Sequence, residues 1–402
     1  MIKKEKAILF TLAIIQFSHI TDFIILMPLG PQLMRNFNIV PSQFALLVSA
    51  YTFSAGIFGF VGAFFIDRFD RKHALTFMAT GFALGTLACS FSNSYYILLF
   101  TRSLTGAFGG VLGALILAII GDIIPNERRA SAMGVVMASF SVASVVGVPL
   151  GLYIATISSW HLPFFSLGLI GLLTLVPIYF FIPRINGHLI SKELKPSPIQ
   201  IIKNVFLNKN QLYGLTFGII IMFSHFTIVP FISPYMVSNV GFAEKELAYI
   251  YLIGGGLTIF TAPLIGRFAD RFGRFNVFTI TVILASIPVY IITNMGHIPR
   301  WQVLVVTSMF FVFGSGRMIP STAMVTSAVK PKNRGSFMSF NASCRQLTNG
   351  TAAYLAGLII VKGDTGLLEN YDYVGYAAIL AGVVSIFIAK KMKVVDDNDY
   401  SN

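Results

Sequence analysis

The chain has 402 residues, of which 55% are hydrophobic and only 11% are charged, and its formal net charge is +13. A soluble globular domain carries about 25% charged residues, so this composition excludes an ordinary soluble protein. Repeated apolar runs near 20 residues predict an all-α membrane protein and disfavour a β-barrel, whose segments are shorter and alternate in polarity. The basic residues lie mainly in short loops, as the positive-inside rule describes, so we expect the lipid bilayer, and no nucleic acid, as a partner.

Twelve apolar runs follow one another along the chain, and each is long enough to span a bilayer. The predicted transmembrane helices are 7–28, 43–66, 73–92, 96–121, 131–157, 163–183, 211–237, 246–268, 276–295, 301–327, 336–361 and 372–390. Basic loop residues concentrate on the side of the two chain ends, which predicts that both termini are cytoplasmic. We therefore expect an integral protein of the plasma (inner) membrane.

A charged loop occurs once in each half of the chain and divides it into two. The stretch 62–72 returns roughly 200 residues later as 266–274, which predicts one unit used twice. The charged residues shared by the two copies are Asp67, Arg68, Arg71, Asp270, Arg271 and Arg274. The predicted domains are a six-helix bundle at 1–183, a cytoplasmic central loop at 184–210, a second six-helix bundle at 211–390 and a cytoplasmic tail at 391–402.

These two loops are interpreted as gate elements. An aspartate beside several arginines can form ion pairs with a helix end and its neighbours, and such pairs can break and re-form. The alternative is that both loops are only solvated positive-inside loops.

The second copy of the loop, Gly266 to Arg274, resembles the signature between spans 8 and 9 of the major facilitator superfamily. The first copy departs from that signature, with Ala63 and Asp70 at two glycine positions. The resemblance implies the major facilitator fold of twelve transmembrane helices in two six-helix pseudo-repeats, which rock about a central cavity. The chain resembles the bacterial antiporters of this family that exchange drugs or metabolites for protons. We therefore expect a monomer that carries a small-molecule solute and protons.

Asp22 is the only acidic residue deep within a predicted span, where an ionisable group marks a candidate site. His19 shares its helix face, and Arg102 lies at a compatible depth in the fourth span. Burial disfavours a charged carboxylate and a nearby arginine favours it, so changing the Asp22–Arg102 separation would load or release a proton. The alternatives are a permanent ion pair that only fixes packing, and a His19 that hydrogen-bonds between helices and relays no proton.

Two further motifs are similar to patterns of the same family. Arg102 is followed four residues later by Gly106, as in the family's fourth span. Gly147, Pro149 and Gly151 partly match the fifth-span signature associated with antiporters, although Val148 precedes the proline. Small residues let helices approach closely, and proline weakens a helix locally. The alternative to an antiporter motif is therefore a generic kink in a membrane helix.

The second half holds two arginines within predicted spans, Arg317 and Arg345, and no mid-membrane carboxylate to neutralise them. They are candidate contacts for an anionic or acceptor-rich solute. Alternatively, they bond to helix carbonyls or line a closed interface. The other polar or aromatic candidates for the substrate cavity are Gln16, Asn341, Gln346, His225 and Tyr51.

The sequence favours proton-driven efflux of a small organic compound, drug-like or a metabolite, through Asp22 and Arg102. One alternative is an importer or exchanger of organic anions that uses Arg317 and Arg345. A second alternative is a membrane sensor that transports nothing. No nucleophile–base pair, metal-ligand cluster or phosphate-binding loop is present, so we expect neither an enzyme nor a bound cofactor or metal.

Overall fold

The computed structural model describes residues 3–186 and 198–395. The chain divides into two compact units, of which one is Met1–Ile39 with Leu46–Leu194 and the other is Val40–Ala45 with Lys195–Asn402. Positions 187–197 of the predicted central loop and 396–402 of the predicted tail lie outside the described residues. The described part of the loop contains a short helix, Pro198–Leu207, which packs Ile201 and Val205 inward and which the sequence reading did not predict.

The first unit is built from helices whose apolar faces meet in one core. Its helices are α1 (Lys3–Ile25), α2 (Gly30–Asn36), α3 (Pro41–Phe65, whose first residues belong to the second unit), α4 (Arg71–Ser90), α5 (Tyr95–Ile123), α6 (Asn126–Val142), α7 (Val148–Ile157), α8 (His161–Leu173) and α9 (Leu175–Phe181). Leu12, Leu75, Leu112 and Ile119 are fully buried where α1, α4 and α5 pack.

Local chemistry sets several ends of these helices. Asp70 caps α4, since its carboxylate accepts from the backbone amides of Lys72 and His73. A π-helical turn, Ala143–Gly147, separates α6 from α7 just before Pro149. Proline cannot donate a backbone hydrogen bond, which explains why the fifth predicted span is interrupted there.

The second unit repeats the pattern with a separate core. Its helices are α10 (Pro198–Leu207), α11 (Lys209–Phe226), α12 (Val229–Ser238), α13 (Leu247–Phe272), α14 (Arg274–Asn294), α15 (Arg300–Gly316), α16 (Met318–Ser327), α17 (Pro331–Ile359) and α18 (Tyr371–Lys391). Phe217, Phe278, Val282 and Phe337 are buried in its core. A two-stranded antiparallel hairpin, β1 (Val361–Lys362) and β2 (Leu368–Glu369), follows α17 and was not predicted.

The all-α membrane class is confirmed. Within the residues described, eleven helical segments are long and apolar enough to cross a membrane. The eleventh predicted span, 336–361, is also helical, as α17, but it is not one of these segments. Its charged and amide side chains, such as Asn341 and Arg345, lower its hydropathy below that of its neighbours.

Candidate functional site

Asp22 and Arg102 form an ion pair in the interior of the first unit. Arg102 Nη1 lies 2.8 Å from Asp22 Oδ2, and both side chains are 0% exposed. Thr86 on α4 donates to the other carboxylate oxygen at 3.2 Å. Both oxygens of the buried carboxylate therefore have a donor, as a charge removed from water requires.

Aromatic rings enclose the Arg102 guanidinium. Its central carbon lies 4.5 Å from the centroid of the Tyr51 ring and 5.7 Å from that of Phe164. A cation over an aromatic face is favoured, more so where water is excluded. Two of its nitrogens, Nε and Nη2, have no hydrogen-bond partner among the described residues, so the guanidinium keeps donors for a further acceptor.

His19 and Tyr51 extend this polar group, which we call the Asp22 cluster: Asp22, Arg102, Thr86, Tyr51 and His19. The Tyr51 hydroxyl and both ring nitrogens of His19 are buried and find no partner in the described part of the chain. A methyl group at Gly109 would lie 2.5 Å from that hydroxyl and 3.2 Å from His19 Nε2. Glycine at this position therefore leaves room for both groups beside α5. Gln16 lies on the same helix as His19, and its buried Oε1 is equally without a described partner.

The glycines of the two motifs place neighbouring helices against this cluster. A Cβ at Gly106 would collide with the backbone carbonyl of Tyr51, so α5 and α3 touch closely beside Arg102. A Cβ at Gly147 would lie 2.6 Å from Thr21 Oγ1, and one at Gly151 would lie 2.8 Å from Ile25 Cδ1. The span-5 glycines thus pack on α1 on either side of Asp22, with Pro149 between them.

Arg317 is buried in the second unit, 3% exposed, at the junction of α15 and α16. Its Nη1 donates to Ser224 Oγ at 3.0 Å, and Ser224 in turn donates to the carbonyl of Ala378 at 2.7 Å. Its Nε has no described partner. No carboxylate of the described residues forms an ion pair with it, so one hydroxyl group is its polar contact.

Arg345 on α17 is oriented toward α11, the helix that carries Ser224. Its Nη2 lies 3.5 Å from the sulfur of Met222, a weak acceptor. A Cβ at Gly218 would lie 2.9 Å from Asn341 Oδ1 and 3.9 Å from Arg345 Cδ, so the glycine makes room for both side chains. Asn341 Oδ1 has no partner in the described chain. Gln346 instead accepts from Asn349 at 3.2 Å.

His225 lies on α11 next to Ser224, the residue whose hydroxyl accepts from Arg317. The ring stacks on Phe310 at a centroid distance of 5.7 Å, and its buried Nδ1 is unbonded among the described residues. We name Ser224, His225, Arg317, Asn341 and Arg345 the Arg317 cluster. It holds two cations without a described carboxylate partner and several free acceptors or donors, so it can bind an acceptor-rich group.

The described contacts of the first charged loop are those of Asp70 and Arg71. The side chain of Asp67 lies outside the described residues. Asp70 accepts from the amide of Ile185 at 2.8 Å, and Arg71 binds Asp122 at 3.0 Å and donates its amide to the Ile185 carbonyl. This loop is therefore bound to the segment that follows α9, an interaction that the repeat did not reveal.

The second charged loop has fewer contacts. Arg274 donates to Ser327 Oγ at 2.7 Å, whereas exposed Asp270 has no ion-pair partner in the part of the chain described. Arg68 lies over the ring of Phe65 and Arg271 lies over the ring of Phe272, each at 5.3 Å from the ring centroid. Of the two repeated aspartates, Asp270 alone can be assessed, and it forms no ion pair with a described residue.

Comparison with known proteins assigns the family. The sequence model of the Major Facilitator Superfamily matches residues 12–261 and 215–398. An uncharacterized MFS-type transporter, YwfA of Bacillus subtilis, is 24% identical over 92% of this chain and 89% of its own. The quinolone resistance protein NorA of Staphylococcus aureus is 21% identical over 91% of this chain and 92% of its own.

A solved structure agrees in fold. The crystal structure of a D-xylose–proton symporter superposes with a TM-score of 0.79 at 15% identity, covering 98% of this chain and 99% of the other. At that identity the likeness concerns the fold alone. With a family match that spans nearly all of the sequence, this integral membrane protein belongs to the Major Facilitator Superfamily of transporters.

Proposed function

We propose that this transporter is a proton-coupled antiporter that exports a small organic compound by alternating access, with Asp22 as the proton carrier. The observation that carries the proposal is the fully buried Asp22–Arg102 ion pair. Intramembrane carboxylates are costly, and proton relays are one of their established uses. Export is supported by the partial span-5 motif and by the similarity to NorA, a quinolone resistance protein.

Coupling follows from what a proton does to the pair. A proton on Asp22 removes the negative charge that Arg102 balances, and a buried guanidinium without a counter-charge is strongly unfavourable. Arg102 has two uncommitted nitrogens, so it can turn to another acceptor in a rearranged site. Proton binding thereby favours one conformation and proton release favours the other, which links proton movement to the transport cycle.

His19 and Tyr51 are proposed to deliver the proton. Both groups lie beside Gly109, His19 on the α1 face that carries Asp22 and Tyr51 on α3, and their nitrogens and hydroxyl have no described partner. A ring nitrogen and a hydroxyl can each accept and donate, so they can pass a proton toward the carboxylate.

The Arg317 cluster is proposed to contact the solute. Its arginines bind a hydroxyl and a thioether, which are weaker partners for a guanidinium than a carboxylate. A solute with carbonyl or carboxylate oxygens would improve on both contacts. Phe310, stacked on His225, adds an aromatic surface for an amphipathic compound.

The proposal also includes the arrangement predicted from the sequence. Bundles at 1–183 and 211–390 would move as the two halves of a monomer in the plasma (inner) membrane, with both termini cytoplasmic. The charged loops at 62–72 and 266–274 would act as gate elements. The contacts of Asp70 and Arg71 with Ile185 support a holding role for the first loop.

The test is uphill transport of a fluorescent quinolone in proteoliposomes with an imposed pH gradient. Wild type should accumulate the compound against its gradient and stop when the pH gradient is collapsed. Asp22→Asn should lose uphill accumulation and retain quinolone exchange at zero pH gradient, which shows that the solute site is intact. Asp364→Asn, an exposed residue after β1, is the control and should behave as wild type. Undiminished uphill transport by Asp22→Asn would refute the coupling assignment.

A second function, exchange of organic anions, is favoured by Arg317 and Arg345, which have no carboxylate partner among the residues described. It predicts that anionic solutes compete with the transported compound more strongly than cationic ones of similar size. Arg317→Gln should reduce that preference about tenfold, the equivalent of one charged hydrogen bond. Arg267→Gln, an exposed cation in the second charged loop, should leave it unchanged. An unchanged preference in the Arg317 variant would exclude this function.

A further inference from the structure

A basic pocket lies at one end of the second unit, away from both clusters described above. Its volume is about 550 Å³, and it opens where α14 begins and α18 ends. Three cationic side chains line it, those of Arg274, Lys390 and Lys393, and no acidic residue is among its lining. Like charges at one cavity repel each other, so an anion would stabilise the arrangement.

The walls of this pocket are held by hydrogen bonds. Arg274 Nη1 donates to Ser327 Oγ at 2.7 Å. The backbone of Lys393 pairs with the side chain of Asn210 through two bonds of 2.8 Å, and the Val395 amide donates to the Ser327 carbonyl at 2.9 Å. The segment after α18 is therefore fixed against α11 and α16, which positions its lysine.

Backbone donors add to the cationic side chains. Gly273, with φ of +91°, turns the chain into α14, and no side chain in the described part of the protein caps that helix. Asn276 in the first turn is turned away from capping, since its Nδ2 donates to the Phe272 carbonyl at 3.0 Å. The first amides of α14 are thus available to an anion at the helix N-terminus.

The position of the pocket indicates the kind of anion. Arg274 begins one membrane-spanning segment and Lys391 ends another, so the pocket lies at the level of lipid headgroups. Half-buried Phe275, Met324 and Met392 form its apolar side. A phosphate carried by an apolar chain fits both surfaces.

We propose that this pocket binds the phosphodiester of an anionic lipid headgroup through Arg274, Lys390 and Lys393, with the glycerol and the start of the acyl chains on the apolar side. A free phosphate ester has the same headgroup chemistry and lacks the apolar part. Arg274 also lies in the second charged loop, but the inference does not rest on the gate role proposed for that loop.

The test measures binding of fluorescent phosphatidylglycerol to the full chain in detergent, with phosphatidylcholine, glycerol 3-phosphate and inorganic phosphate as competitors. Phosphatidylglycerol should compete at least about tenfold better than each of these. Lys390→Gln/Lys393→Gln should bind it about a hundredfold more weakly, tenfold for each lost charge contact. Lys245→Gln/Lys362→Gln removes the same charge from exposed sites outside the pocket and should bind within twofold of wild type.

Three outcomes would overturn the proposal. Equal weakening in the two double variants would mean general attraction to charge instead of a site. Equal competition by glycerol 3-phosphate would assign the pocket to a soluble phosphate ester. The sequence after Val395 contains Asp396, Asp397 and Asp399. If lipid binds only after all three are changed to Asn, the pocket belongs to this acidic segment.

Discussion

The Asp22–Arg102 pair should show a large coupling energy, because both partners are fully buried and directly bonded. Asp22→Leu removes the acceptor of Arg102 Nη1 and leaves a buried positive charge. The Nε and Nη2 atoms of Arg102 also lack described partners, so no other described bond offsets this loss. Removing one partner of a buried pair costs about 3–5 kcal/mol. Arg102→Met, which keeps a flexible side chain against the Tyr51 ring, should cost a similar amount.

The double variant Asp22→Leu/Arg102→Met should recover most of that loss. Replacing both members of a buried pair by apolar residues is often neutral or stabilising. We therefore expect each single variant to lower the unfolding midpoint in detergent by about 6–20 °C, at about 2–4 °C for each kcal/mol. The double variant should unfold within about 3 °C of wild type, and it should not couple transport to protons.

The assay is a double-mutant cycle of thermal unfolding, followed by intrinsic fluorescence at fixed detergent and pH. Additive losses in the double variant would refute the reasoning, because they would show that the two residues stabilise the protein separately. The same cycle with Thr86→Val in place of Asp22→Leu should give a smaller coupling, since Thr86 bonds the carboxylate and not the guanidinium.

Three further predictions concern single sites. Gly106→Ala should destabilise the protein by about 1–3 kcal/mol because its methyl group meets the Tyr51 backbone, whereas Gly113→Ala on the same helix meets no atom within 4 Å and should be neutral or stabilising in thermal unfolding. Asp70→Asn weakens the bond to the Ile185 amide and should lower stability by about 1 kcal/mol, with Asp364→Asn as the unaffected control. Arg345→Gln should weaken solute binding, measured by ligand-induced thermal shift, about tenfold. An unchanged shift in the Arg345 variant would exclude it from the site.

The transmembrane architecture was readable from sequence because the bilayer demands long apolar helices. Hydropathy alone is not sufficient to identify α17 as a membrane-spanning helix. The polar residues that make α17 a candidate for the solute site also lower its mean hydropathy. The strand pair after it was missed, since two-residue strands leave no periodic pattern.

The Asp22 cluster was only partly predictable. The one acid and the one arginine within the predicted spans of the first half can be matched by depth, and the structure places them in contact. Thr86 could not be singled out, because many helical threonines bond their own backbone four residues earlier, as Thr76 and Thr80 do here.

The role of Asp70 was missed for a different reason. The repeat directed attention to Asp67 and Asp270, which occupy matching positions. The partner of Asp70 is the amide of Ile185, 115 residues away, and nothing in the local pattern points to it. Contacts of this kind depend on tertiary packing and become visible only with coordinates.

The role of Asp22 in coupling is tested most directly by measuring proton movement that is driven by a solute gradient. Proteoliposomes that contain a pH-sensitive dye and purified wild-type protein should change internal pH when a quinolone gradient is imposed without any pH gradient. If Asp22 is the proton carrier, Asp22→Asn should carry the quinolone down its gradient and move no protons. Proton movement of wild-type size in that variant would contradict the central claim that Asp22 couples the two.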